Sequence, residues 1–186
     1  MKLEDFIEGE LRNPEFRKCW EEEIHVLDMS MELDESTIVD QETLTLKEAL
    51  KLLEEEPLDS IISNKGIKRT VELPTEVEFY EINSKCPVAE FIESISDAKL
   101  KAKILACMVQ LAQQGSSARL PLSRYMGDGM YELRVKQSSN IIRIFYFFVI
   151  GNKIIMTNGY VKKTQKVDDE ELKRAKRYRD EYSRRS

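Results

Sequence analysis

Residues 127–149 read GDGMYELRVKQSSNIIRIFYFFV, and this stretch decides the fold. Gly127-Asp128-Gly129 is a turn signal, because glycine and aspartate tolerate the backbone conformations that a turn demands. From Met130 to Lys136 the chain alternates. In an extended strand Tyr131, Leu133 and Val135 then face one way and Glu132, Arg134 and Lys136 the other. Asn140–Val149 is almost continuously apolar, which suits a strand at the centre of a sheet. A further strand, Lys153–Val161, follows a Gly151-Asn152 turn of hairpin type.

The flanking segments supply the helices. Upstream, Val77–Ile82 reads as a strand, and Pro87 opens a helix that packs through Val88, Phe91, Ile92 and Ile95. Ser96-Asp97 caps a longer helix over 98–114, whose apolar stripe is Leu100, Ile104, Leu105, Met108 and Leu111; Gly115 sits where a glycine cap belongs. A loop carrying Arg119, Pro121 and Arg124 leads back to the strands, and a basic helix over 168–184 closes the chain. The order β-α-α-β-β-β-α predicts an α+β domain with helices on one sheet.

Residues 1–70 read differently. A helix is expected near 3–12, where Asp5 and Glu8 have capping-box spacing, and Asn13-Pro14 opens a second helix to about Ile24 with Phe16 and Trp20 on one face. Residues 28–43 are acidic and weakly periodic, which suits a loop or edge strand. Thr45 and Glu48 form a capping box for a helix that Pro57 stops. Turn signals follow at Asn64 and Gly66. The boundary belongs near residue 70, where the charge changes sign, giving an acidic, mostly helical extension (1–70) and a sheet domain (71–186).

Residues 1–70 carry 19 acidic and 9 basic side chains, a net of −10; residues 71–186 carry 15 and 20, a net of +5. The basic part suits a nucleic-acid partner, and the acidic part suits an intramolecular contact that covers it. Hydrophobic residues make up 41% and charged residues 34% of the chain, enough for a sizeable core under a charged surface. No apolar run approaches the roughly 20 residues of a membrane span, and the acidic start MKLEDFIEGEL lacks a signal core. A cytoplasmic protein with no membrane partner is expected. Cys19, Cys86 and Cys107 are widely spaced, with no CxxC pair, so neither a disulfide framework nor a zinc site is indicated. His25 is the one histidine, which excludes a Ser-His-Asp triad in the second half.

The chemistry that remains is cationic. Arg143 lies inside an apolar run, so it must be paired or bind an anion. Arg134 and Lys136 share a strand face, and Lys162, Lys163 and Lys166 follow the last strand. Such groups suit RNA cleavage: the 2′-hydroxyl is an internal nucleophile, Arg and Lys stabilise phosphate charge, and no metal or cofactor is called for. Tyr125, Tyr131, Tyr146 and Tyr160 are candidates for stacking on unpaired bases. A solvated basic face or a plain binding patch accounts for the same cations.

An ordered set of segments carries a family resemblance: FYE (79–81), PVAEFIESI (87–95), GDGMYELRVKQ (127–137), NIIRIFYFF (140–148), GYVKKTQK (159–166) and EELKRAKRYRDEY (170–182). Together they resemble the phage-derived branch of HigB-like toxins in the RelE/ParE superfamily. The resemblance implies a microbial-RNase-like α+β fold: an antiparallel sheet with two preceding helices and a C-terminal helix. It implies a toxin that enters the ribosomal A site, cleaves mRNA and so inhibits translation, held in check by a cognate HigA-type antitoxin. By motif position Arg134 is similar to the proton-accepting cation and Arg143 to the phosphate-stabilising arginine, both catalytic. Lys162, Lys163 and Lys166 occupy the region of the last catalytic cation; Lys136, Tyr125, Tyr146, Tyr160 and Lys166 are the expected RNA contacts. Tyr178 and Tyr182 stand in for the terminal tyrosine of some relatives, and the histidine-based variant of the mechanism has no counterpart here. DFIEGELRNPEFRKCWEEE (5–23) resembles the opening helices of HigA-type antitoxins. The competing reading is a non-catalytic interaction module or a ParE-like gyrase-binding toxin.

Overall fold

The computed structural model describes residues 1–35, 75–149, 152–162 and 168–185. Residues Met1–Met29 and Leu73–Ser186 form one compact unit, described here; the helix expected after Thr45 and the turn signals at Asn64 and Gly66 lie outside the described residues. The elements are α1 (Leu3–Glu10), α2 (Pro14–Glu35), β1 (Glu76–Phe79), α3 (Pro87–Glu93), α4 (Ala98–Gln114), β2 (Ser123–Gly127), β3 (Met130–Gln137), β4 (Asn140–Val149), β5 (Lys153–Val161) and α5 (Asp169–Arg185). The fold is α+β, with one five-stranded sheet in the order β1-β5-β4-β3-β2.

The apolar strand β4 sits at the centre, between β3 and β5. Two details depart from the sequence reading. The sheet is mixed, because β1 joins β5 in parallel. The segment after Arg119, expected as a loop, supplies an edge strand, β2, paired with β3 through Arg124↔Glu132 and Tyr125↔Tyr131. It is short and polar, and its pattern is one an isolated propensity argument does not detect.

Local signals elsewhere account for the helices. The Asn13 side chain accepts hydrogen bonds from the Glu15 and Phe16 amides at 2.9 and 3.4 Å, and Asp97 caps α4 through Lys99 and Leu100 at 3.0 and 3.1 Å. Helix α1 uses no side-chain cap; its start is set by Lys2, whose backbone bridges to Glu78 beside β1. Helix α2 runs on through 28–35, where a loop or edge strand was expected. Five of those eight residues are Glu, Met or Leu, good helix formers.

Two cores result. One lies between the sheet and helices α1–α4, with Leu133, Val135, Ile142, Ile144 and Met156 from the strands. The other lies under α5, with Met130, Phe145, Phe147 and Tyr160. Leu3, Phe6, Ile7 and Phe16 belong to the first core, and the Phe6 ring lies 5.4 Å from that of Phe79. Close approach fixes one glycine: a Cβ on Gly159 would collide with the Phe91 ring, so α3 lies directly against β5.

The first two helices should therefore support the sheet. Phe6→Ala is expected to cost about 3 kcal/mol in a urea unfolding experiment on the full chain, while the exposed control Glu8→Ala is near neutral. Equal midpoints for the two variants would contradict a shared core.

Candidate functional site

The sheet register builds a row of polar groups across three strands. Arg134 of β3 lies directly opposite Arg143 of β4, and Arg143 lies opposite Tyr160 of β5. One step along, Lys136 lies opposite Ile141, whose carbonyl accepts from the Lys162 amide at 2.8 Å. Residues directly opposed in a ladder share a face. Arg134, Lys136 and Arg143, with Lys162 just past the strand end, thus gather on the face that carries α5.

Arg143 and Glu132 are the buried charges of this row, 5% and 1% exposed, and their Nε and Oε2 atoms are 3.4 Å apart. The guanidinium also donates from Nη1 to the Ile142 carbonyl at 2.8 Å. Neither Arg143 Nε nor Glu132 Oε1 has a hydrogen-bond partner among the described residues. Burial holds the Arg143 pKa below the usual arginine value; Glu132 opposes this, and the neighbouring Arg134 adds to it. Arg134 and Lys136 are in no ion pair among the described residues. Arg134 is half-buried and Lys136 exposed.

These cations open onto a cleft of about 660 Å³, lined among others by Lys103, Arg119, Arg134, Lys136, Ile141 and Arg143. None of the described residues lining it is acidic. Cations gathered along one cleft raise the positive potential there, which favours a phosphate. Arg124 adds an exposed cation beside Glu132 on the edge strand.

Helix α5 is held against the same face by polar anchors. A bulge in β5 opposite Ile144–Tyr146 leaves Thr157 and Asn158 buried, and Asn158 Nδ2 donates to Glu171 Oε2 at 2.7 Å. Lys176 pairs with Asp128 at 2.5 Å, in the turn before β3.

The aromatic candidates separate. Tyr160 stands beside Arg143 in the row but is only 9% exposed, and burial raises its hydroxyl pKa. Tyr125 is exposed on the edge strand. Tyr146 belongs to the opposite core: its ring stacks on Tyr131 at 5.4 Å, its hydroxyl is 2.5 Å from Ser123 Oγ, and burial pushes its pKa up to about 12. It presents no free ring face, so the stacking contact expected of Tyr146 has no access here. Tyr178 and Tyr182 serve the docking of α5, against Tyr80 (4.9 Å) and Phe147 (5.6 Å). Lys163 and Lys166 lie outside the described residues.

With this geometry in place, the comparison with known families is informative. Residues 90–180 match the family described as phage derived protein Gp49-like (DUF891). This segment is similar to Gp49-like proteins. It runs from α3 into α5, and so contains the whole cation row and most of the cleft wall. The Gp49-like family is phage-derived and toxin-like. No curated protein matches the chain. No described helix is long and apolar enough to cross a membrane.

Sequence reading missed Glu132 as the partner of Arg143, and Lys103 and Arg119 as cleft walls. Glu132 was detectable: it alternates with Arg134 and so shares the face of the cation row. Lys103 and Arg119 carried no such signal, since only tertiary packing brings them to β3.

The Glu132–Arg143 pair should behave as one unit. Arg143→Met or Glu132→Leu alone leaves a buried charge uncompensated and is expected to cost about 3–5 kcal/mol, whereas the double variant regains most of it. Additive losses in chemical denaturation would contradict a coupled pair.

Proposed function

We propose that the protein is a HigB-like toxin of the RelE/ParE superfamily, an endoribonuclease that cleaves mRNA in the ribosomal A site. The observation that carries this reading is the cleft in which Arg134, Lys136 and Arg143 converge, with no acidic residue among the described ones that line it, within a Gp49-like segment. The cytoplasm is the compartment this activity requires, and a HigA-type antitoxin is the proposed restraint in the cell.

In the proposed reaction the RNA 2′-oxygen attacks the adjacent phosphorus, the bond from phosphorus to the 5′-oxygen breaks, and a 2′,3′-cyclic phosphate forms. Arg143, rigidly held by Glu132, stabilises the charge that builds on the phosphate oxygens. Arg134 takes the position of the proton-accepting cation. An arginine keeps its proton at any ordinary pH, so its contribution here is to stabilise the developing 2′-oxyanion while the proton passes to water. Lys162 is the candidate in the described row for donating a proton to the departing 5′-oxygen, with Lys163 and Lys166 the other candidates. Lys136 and the exposed Tyr125 hold the strand; Tyr160 supports Arg143 from the adjacent strand.

The acidic N-terminal segment is a proposed internal restraint. Its charge supports this, and so does the pairing of Glu23 on α2 with Lys103, a cleft-wall residue, at 2.9 Å.

Mapping of mRNA 5′ ends after induction of the full chain tests the reading. New ends at A-site codons are expected, reduced about 100-fold or more by Arg134→Gln. Growth arrest with intact mRNA and altered DNA supercoiling would overturn it in favour of a gyrase-directed toxin. In the same assay, changing Glu54, Glu55 and Glu56 together to glutamine should increase cleavage if the acidic segment restrains the site; unchanged cleavage contradicts that restraint.

A further inference from the structure

A second depression, of about 370 Å³, lies against the edge strand and includes Ser116, Arg119, Ser123, Tyr125, Gly129 and Tyr131 in its lining. Arg119 also lines the cationic cleft, so the two share a wall residue. Residues 116–122 contribute to both: Ser116 and Ala118 to the second depression, Ser117, Leu120, Pro121 and Leu122 to the cleft.

The chemistry of the second depression differs from that of the first. Its main surface is aromatic. Tyr125, 58% exposed, lies 5.2 Å from Tyr131 at an interplanar angle of 58°. Tyr131 is backed by the buried Tyr146 ring, stacked at 5.4 Å, so the platform is stiff. The Tyr125 ring is also fixed from its far end, where its hydroxyl accepts from the Gly129 amide at 3.3 Å. Arg119 is oriented by Nη1, which donates to the Ser116 and Ala118 carbonyls at 2.7 and 2.9 Å. Its Nε and Nη2 hydrogens have no acceptor among the described residues.

An exposed aromatic face held rigid, beside an arginine with free donors, matches a flat π-system attached to an anion. We infer that this depression is a subsite for one unpaired nucleobase of an RNA strand whose phosphate occupies the cationic cleft. The inference rests on the proposed function and adds to it: the substrate must be single-stranded at the site, because a base within a duplex cannot present its face to Tyr125. Arg119 would bridge the base subsite and the phosphate. Base–aromatic stacking tolerates any base, so this subsite holds the strand in register without imposing a sequence.

The test is binding of the full chain to a fluorescent single-stranded oligoribonucleotide of about eight nucleotides at low salt, and to copies made abasic at one position at a time. Tyr125→Leu removes the π face at an exposed position and is expected to weaken binding about tenfold; Tyr125→Trp should restore it. One abasic position should weaken binding by the parent chain and leave the Leu variant unaffected. Equal affinity of parent and Tyr125→Leu, indifference to every abasic position, or no binding by the parent would each overturn the subsite. The proposed function fails separately: mRNA cleavage that depends on Arg134 while Tyr125→Leu binds normally leaves the function standing without the subsite. Tyr125-dependent binding without any cleavage leaves an RNA-binding site without the nuclease.

Discussion

The fold and the site meet in one interaction, the ion pair between Arg143 and Glu132 at the middle of the sheet. Taking either charge out of water is costly, and the arrangement persists only because the two neutralise each other in a packed interior. An apolar pair of similar size would serve stability at least as well. What the ion pair provides instead is a guanidinium held in place directly opposite Arg134, which is in no ion pair among the described residues. The Arg143 Nε faces Glu132 Oε2 with no hydrogen-bond acceptor among the described residues, and Nη1 is fixed by the Ile142 carbonyl.

The surrounding architecture follows from where that pair must lie. Strand β4 is apolar enough to be central, which buries Arg143 and sets Arg134 and Tyr160 on either side of it. Helices α1–α4 cover the opposite face. Helix α5 is tied to the face of Arg134 and Arg143 through Asn158 and Asp128, and the cationic cleft runs from those strand cations to Lys103 and Gln110 of α4 and to the segment after it. The first two helices are joined to this unit through a shared core and through Lys101–Glu10 and Lys103–Glu23. Residues Met1–Met29, the start of the acidic N-terminal segment, thus belong to the body of the domain.

Much of this was legible in the sequence, for reasons that can be named. The strands β3 to β5 announce themselves by period and turn chemistry, and Asp97, Asn13 and Gly115 mark helix ends through backbone hydrogen bonding that depends on only a few neighbouring residues. Arg134, Lys136 and Arg143 were recognisable because alternation assigns a face and because a cation in an apolar strand demands an explanation. The edge strand β2 and the parallel joining of β1 were not legible. Both are decided by what the neighbouring strand offers, and SRYMG and EVEF carry little pattern of their own. Tyr146 was misplaced for a related reason: within a run buried on both faces, sequence does not say which aromatic points to which core. The shared role of Arg119 depends on a loop path that no local signal encodes.

Arg143 is the group proposed to meet the phosphate. Its Nε–H is observable by 1H–15N NMR in arginine-labelled full-length protein. On titration with an oligoribonucleotide made uncleavable by a 2′-deoxy residue, the Arg143 Nε–H resonance should shift, saturate and do so together with Arg134. A saturating titration that leaves Arg143 Nε–H unmoved, while other arginines shift, would contradict the central claim.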